Sequence, residues 1–220
     1  MITPPSYPLR PVNGGPLPLA QPKHGLWDFG PKLNGWRAWA HPATRSMWNR
    51  ENKPLSITAE FKVVLDKLYC AADHLPEWLD VEALSRRVPI GKGSLILLDA
   101  VGTPPLDVGC SNVGCLPYDE RQQLLYDTCI AKGPGFSWAH EQFEPLENEL
   151  LSFAYTYRTD DKAPEMHPAA AWVRLQEVNQ ALGCELFEGL VAKRADSLYP
   201  LQLRSPDLEF PFWMKHRWSF

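Results

Sequence analysis

Several features are scarce or missing in this 220-residue chain, and each absence narrows what it does. Cys70, Cys110, Cys115, Cys129 and Cys184 are the only cysteines, too few and too scattered for a disulfide scaffold. No second Cys or His pair follows Cys110 and Cys115, so the spacing gives a zinc site no support. This cysteine usage reads as a reducing, cytoplasmic compartment. No uninterrupted apolar run approaches the ~20 residues that cross a bilayer, so no membrane partner is expected. Met1 to Leu9 holds three prolines and no apolar h-region, and no secretory signal is expected there. Internal repeats and long linkers are also missing, which favours one mixed α+β domain.

The formal charge of −4 excludes a uniformly basic coat of the kind that binds nucleic acid without selectivity. That figure hides a partition. Residues 1–53 hold seven Lys/Arg against two Asp/Glu (+5), residues 193–220 hold five against three (+2), and the middle carries −11. If the two ends meet in the fold, they make one basic surface on an acidic body.

Proline and tryptophan are plentiful, with 22 and nine residues. Seven of the prolines fall in residues 1–25, which therefore cannot sustain a helix and read as an extended lead lying on the domain or mobile beside it. The domain proper would run over 26–220. Trp36 to Ala40 is a short strand by pattern. Ile57, Phe61, Val64, Leu65 and Leu68 recur at helical spacing and predict a helix from about Thr58 to Cys70. Glu77–Leu84 and Ser94–Val101 read as strands, and Gly102–Pro117, rich in proline and glycine, as irregular. A second helix is expected over Tyr118–Ile130, stopped by Gly133 and Pro134, then a strand over Leu150–Tyr157. A third helix starts at Pro168 and ends before Gly183, and strands close the chain at Gly189–Lys193 and Phe212–Trp218.

Four short segments carry chemistry-bearing side chains. In Lys32-Leu33-Asn34-Gly35-Trp36-Arg37, a lysine before a glycine turn presents a nucleophile at the mouth of a sheet, although an exposed loop lysine reads the same. In Trp78-Leu79-Asp80-Val81-Glu82, two carboxylates at i and i+2 share a strand face and suit a metal, a ribose or a cation; a solvent-facing edge strand explains them equally. Glu188-Gly189-Leu190-Val191-Ala192-Lys193-Arg194 opens with an acid and closes with a basic pair, as a metal ligand and a phosphate contact would, or as the charged ends of a buried strand would. In Trp213-Met214-Lys215-His216-Arg217-Trp218, two cations on one face suit phosphates, or a solvated strand.

The order of the segments says more than any one of them. Lys-x-Asn-Gly-x-Arg, then Asp-x-Glu, then Glu-Gly-Leu-Val-x-Lys, then Trp-x-Lys-x-Arg resembles motifs I, III, IV and V of the covalent nucleotidyltransferase superfamily. That superfamily comprises ATP-dependent DNA ligases, RNA ligases and mRNA-capping guanylyltransferases. Asn49–Asn52 is similar to motif Ia, and Ser94–Val101 stands in the place of motif IIIa. The resemblance implies an adenylation domain of antiparallel sheets flanked by helices, spanning Lys32 to Trp218.

It also implies roles. Lys32 would attack the α-phosphorus of ATP and form a lysyl-adenylate, a reaction of the unprotonated amine that nearby cations and desolvation favour. Arg37 and Glu82 would hold the ribose of AMP. Glu188, with Glu82, would coordinate Mg2+ through hard oxygen ligands. Lys193, Lys215 and Arg217 would contact phosphates, Arg50 would meet the polynucleotide 5′-phosphate, and Leu190 with part of Ser94–Val101 would wall the base. The basic ends would then coincide with the cleft that binds DNA or RNA strands.

The chain departs from the family pattern in five respects, one being Arg217 in place of the second lysine of motif V, which keeps the charge. Asn34 stands where DNA ligases and capping enzymes have Asp, and Gly30 where many ligases have a base-reading Glu. Leu98 occupies the place of an aromatic that stacks on adenine. The chain stops two residues after Trp218, which gives the expectation of a minimal ligase lacking the C-terminal OB domain, with a partner protein as one source of the missing clamp. The expected function is an ATP-dependent polynucleotide ligase, DNA favoured, sealing 3′-OH and 5′-phosphate ends. RNA or mixed-strand ligation, a capping-type guanylyltransferase and a non-catalytic nucleic-acid-binding module of the same fold are the alternatives.

Overall fold

The structure is a computed structural model. It describes residues 2–15, 26–105, 109–128, 151–153, 157–158, 168–201 and 205–218. The elements in chain order are β1 (Arg10–Asn13), β2 (Trp27–Leu33), β3 (Trp36–His41), β4 (Ser46–Asn49), α1 (Lys62–Cys70), β5 (Trp78–Ala83) and β6 (Leu95–Val101). There follow α2 (Tyr118–Tyr126), β7 (Leu151–Phe153), β8 (Tyr157–Arg158), α3 (Pro168–Leu182), β9 (Phe187–Arg194) and β10 (Glu209–Arg217). They form two five-stranded sheets, ordered β1-β10-β9-β2-β8 and β4-β3-β5-β6-β7. Pairing is antiparallel except where β1 joins β10 and β7 joins β6.

Strand periodicity accounts for the layering. On the second sheet, Ala38, Leu79, Val81 and Leu97 pack against Phe61, Val64, Leu65 and Leu68 around α1. On the first, Phe29, Leu190 and Ala192 pack against Ala171 and Leu175 of α3. A third cluster of Leu9, Trp39, Trp48, Trp78, Tyr118, Tyr199 and Trp213 draws on both sheets. Four of the nine tryptophans lie in this cluster, where edge-on rings such as Tyr118–Trp213 and Tyr199–Trp213, both 6.0 Å apart, fill a wide gap with few side chains.

The expected strands at Trp36–Ala40, Glu77–Leu84 and Ser94–Val101, and the helix from Pro168, are present within a residue or two. The predicted helix over Thr58–Cys70 opens as a 3-10 turn, Thr58–Phe61, before α1. Residues 129–130, the expected end of the second helix, lie outside the described residues, as do Leu150 and 154–156 of the expected strand. Some strands were not foreseen, β1, β2 and β4 among them. In β2, Asp28, Gly30, Pro31 and Lys32 break the apolar pattern, yet the strand is central because Trp27, Phe29 and Leu33 all face the α3 core. Among the described residues β8 pairs with Asp28 and Phe29, and Pro31 lies beyond that ladder. In β4, Trp48 lies opposite Trp39.

The proline-rich lead is extended and lies on the domain where it is described. Leu9 is buried, its amide donates to the Tyr199 hydroxyl (3.1 Å), and Arg10–Asn13 adds a strand to β10. Ladder register skips between Pro11 and Val12, leaving Pro211 of β10 unpaired with β1, as a residue without an N–H requires. The four cysteines within the described residues are free thiols. No helix among the described residues is long and apolar enough to cross a membrane.

Candidate active site

The turn Asn34-Gly35 carries the chain from the first sheet to the second, so Lys32 and Arg37 are five residues apart yet stand on opposite walls of a cleft. Gly35 is required there. Its amide donates to Glu82 Oε1 (2.9 Å), and a Cβ would sit 2.8 Å from Glu82 Cγ and 2.9 Å from the Ala83 carbonyl. The cleft between the sheets encloses about 660 Å³, ample for a nucleotide.

Antiparallel register builds the first wall in rows. Lys32 pairs with Gly189, which pairs with Arg217; Gly30 pairs with Val191, which pairs with Lys215; Asp28 pairs with Lys193, which pairs with Trp213. Paired residues share a face, so three strands deliver Lys32, Arg217, Lys215 and Lys193 to one side. Simple alternation would turn Glu188 to the opposite face from Gly189. Instead the ladder bulges between Lys32 and Leu33, and Glu188 Oε2 accepts hydrogen bonds from Lys32 Nζ and lies 3.3 Å from the Arg217 guanidinium. Gly189 makes this approach feasible. Its φ is +146°, and a Cβ would lie 1.8 Å from the His216 carbonyl oxygen, inside the neighbouring strand.

The second wall is acidic and largely committed. Arg37 donates from Nε (2.9 Å) and from a terminal nitrogen to the two Asp80 oxygens, and from its other terminal nitrogen to the Leu9 carbonyl. Burial disfavours the charged Arg37, but Asp80 outweighs it and holds the guanidinium protonated. Tyr199 donates to Asp80 Oδ2 (3.2 Å). Glu82 is different: burial pushes its carboxyl up to about 7, against the pull of Lys32, Arg37 and the Gly35 amide. At the floor, the Lys193 ammonium donates to the Leu98 carbonyl (2.8 Å) and lies 4.2 Å from the Trp213 ring centre and 4.5 Å from that of Tyr118. Burial lowers it to about 8, because two ring faces replace only part of its hydration. Lys215 is also lowered, first by burial and then by Arg10, while Glu209 at 3.8 Å opposes this.

Of the residues singled out in the sequence, Lys32, Arg37, Glu82, Lys193, Lys215, Arg217 and the exposed Arg50 all line the cleft, and Glu188 binds two of them. Leu190 does not. It is fully buried against the α3 core, and the strand period of two turns Val191 into the cleft in its place, opposite Leu98 of β6. Sequence reasoning missed further lining residues, Arg10, Trp36 and Arg87 among them. Arg10 arrives on β1; Trp36 is 42% exposed at the mouth; Arg87 stacks over Trp36 at 4.3 Å and donates to the Gly35 carbonyl. Val191 was legible from its spacing to Lys193, whereas nothing local marks Arg87, which lies in the acidic middle of the chain. The condition set on the charge partition is met: strands from both basic ends lie side by side in the first sheet.

No protein-family model matches the chain, and no curated protein does. Solved structures do. A mycobacterial DNA ligase D complexed with ATP and MES is 19% identical with a TM-score of 0.54 over 95% of this chain and 60% of its own. A Lig E DNA ligase, described as binding DNA with a minimal scaffold, is 14% identical with a TM-score of 0.53 over 95% of this chain and 68% of its own. A structure called Pmar-Lig_Pre is 16% identical with a TM-score of 0.54 over 97% of this chain and 47% of its own. The chain therefore spans about half to two thirds of these neighbours, and what it shares with them is the fold of a ligase nucleotidyltransferase domain.

Proposed function

We propose that this chain is an ATP-dependent polynucleotide ligase, with DNA as the favoured substrate, working through a lysyl-AMP intermediate on Lys32. The observation that carries the reading is the environment of one amine. Lys32 Nζ lies within a nucleotide-sized cleft, hydrogen-bonded to Glu188, with Arg217 on the same carboxylate and Lys215 one row away. A nucleophile among cations that meet phosphate oxygens is what attack on an α-phosphorus needs. That fold neighbours are DNA ligases, one of them complexed with ATP, supports the choice of substrates.

In the first step the Nζ lone pair attacks the α-phosphorus. A P–N bond forms, the α–β bridging P–O bond breaks, and pyrophosphate leaves with the electron pair. Glu188 Oε2, already the acceptor of the Nζ hydrogen bond, is placed to take the proton that the amine sheds. In the second step a 5′-phosphate oxygen of the polynucleotide attacks the same phosphorus, the P–N bond breaks, and the amine recovers its proton. In the third, a 3′-hydroxyl attacks the activated 5′-phosphate; a phosphodiester forms and AMP leaves.

The other side chains divide the binding. Val191 and Leu98 wall the base from the two sheets, Glu82 accepts from a ribose hydroxyl, Lys193, Lys215 and Arg217 hold phosphates, and Arg50 meets the incoming 5′-phosphate. Arg37, with three of its five N–H groups given to Asp80 and Leu9, is held beside Glu82 on the ribose side of the cleft. Magnesium fits this donor set. The described residues contain no group of three or more His, Cys, Asp or Glu able to hold a metal, but the ion needs only one or two carboxylates besides substrate phosphates and water. Glu188 and Glu82 would hold it, and it would supply positive charge at the reacting phosphate.

Incubation with α-labelled ATP and magnesium is expected to leave label covalently on the protein, and Lys32→Ala to abolish it. Label that persists in the variant removes the mechanism. A nicked-duplex sealing assay on matched DNA, RNA and mixed strands then reads the sugar preference.

A further inference from the structure

Four cations around the cleft share two carboxylates, two cations to each. Glu188 Oε2 serves Lys32 and Arg217, and Glu209 Oε1 serves Lys215 (3.8 Å) and Arg10 (3.7 Å). Arg10 and Glu209 have no place in the reading above. Arg10 also reaches Asp207 at 3.3 Å, yet all three side chains are 42% or more exposed, and ion pairs in that setting contribute little. These contacts therefore hold Arg10 in position without committing it.

The sheet order gives the pair a direction. From the nucleophile on β2 the sheet continues through β9 to Lys215 and Arg217 on β10, and then to Arg10 on β1. In-line attack on phosphorus expels the leaving group on the side away from the nucleophile. Measured across the strands, that side is where Lys215 and Arg10 stand, both lining the cleft. A guanidinium presents a fork that two phosphate oxygens match, and exchanging a loose carboxylate contact for a bidentate phosphate contact favours the phosphate. The mutual effect of the two cations is already visible in Lys215, which Arg10 helps to lower.

We propose that Arg10 is a binding residue for the pyrophosphate moiety, and that Glu209 is the carboxylate which Arg10 and Lys215 surrender when a polyphosphate enters. The proposal rests on the nucleotidyl-transfer reading for its purpose but makes a separate statement about anion binding. Glu209 is a competitor for the ligand, so removing its charge strengthens binding, whereas removing Arg10 weakens it.

Calorimetric titration of the full chain with inorganic pyrophosphate tests both signs. Arg10→Ala is expected to raise the dissociation constant about tenfold and Arg10→Lys to fall between it and the unaltered chain, because a point charge replaces a fork. Glu209→Gln is expected to lower the constant about threefold, since a neutral amide cannot pair with either cation. Thermal unfolding of each variant checks the fold, and the opposite signs at two exposed positions are not what general destabilisation produces. Unchanged affinity in Arg10→Ala, weaker binding in Glu209→Gln, or no binding by the unaltered chain each overturns the proposal. Arg10-dependent pyrophosphate binding by a chain that never takes the nucleotide label leaves the proposal standing and removes the ligase reading alone.

Discussion

Glu82 shows how burial of a single residue sets chemistry. Its carboxyl is raised to about 7 because burial outweighs Lys32, Arg37 and the Gly35 amide. The folded protein therefore binds a proton more readily at this group than the unfolded chain does. Its contribution to stability is present below the ordinary carboxylate range and is lost as pH rises toward 7. Glu82→Gln keeps an oxygen for the Gly35 amide and stays neutral. Unfolding by urea should show the variant gaining on the unaltered chain by about 1–3 kcal/mol between acid and mildly alkaline pH. A gap that does not change with pH would show that Glu82 keeps its ordinary affinity for protons. The same variant should bind nucleotide more weakly, since a ribose hydroxyl donates better to a carboxylate than to an amide.

At the scale of the element, β9 carries both a wall of the cleft and a wall of the core, and adjacent residues separate the two. Leu190 is fully buried against α3, and Val191 faces the cleft. Leu190→Ala should cost about 2–5 kcal/mol in denaturant unfolding while leaving nucleotide affinity in the folded fraction near its original value. Val191→Glu should do the reverse. It keeps most of the stability and lowers the yield of labelled protein at least about tenfold by setting a carboxylate against the nucleotide phosphates. Leu190, expected to wall the base, lies one residue away from the cleft-facing position, and in a strand one residue is the difference between faces. The offset arises because Gly189 has a positive φ and the ladder bulges beside it, so the phase of the strand cannot be counted from Glu188. β2 escaped for a related reason. The residues on its face away from α3, Asp28, Gly30 and Lys32, are the ones that make it look unlike a strand.

For the whole molecule, the charge partition becomes a surface. Strands from the +5 and +2 ends lie in one sheet, and Arg50, Lys215 and Arg217 line its cleft, on a chain whose formal charge is −4. Polynucleotide binding should therefore weaken steeply with salt despite the net charge. For each cation that neutralises one phosphate of a duplex, affinity falls about 3.5-fold between roughly 50 and 200 mM salt. A filter-binding or anisotropy titration at several salt concentrations checks this, and a flat response would place the binding surface elsewhere.

The sequence alone determined which residues can do the chemistry and in what order they come. A lysine before a glycine turn, alternate carboxylates on a strand and alternate cations on another are statements about side-chain type and local period, and local period survives folding. Tertiary structure alone decided which of them meet. The turn at Asn34-Gly35 moves the chain between sheets, a bulge swings Glu188 onto Lys32, and the parallel pairing of β1 with β10 sets Arg10 opposite Glu209. Arg10 and Glu209 are 199 positions apart, and no local pattern encodes their approach. It follows from hydrogen bonding across a sheet whose order differs from the order of the chain.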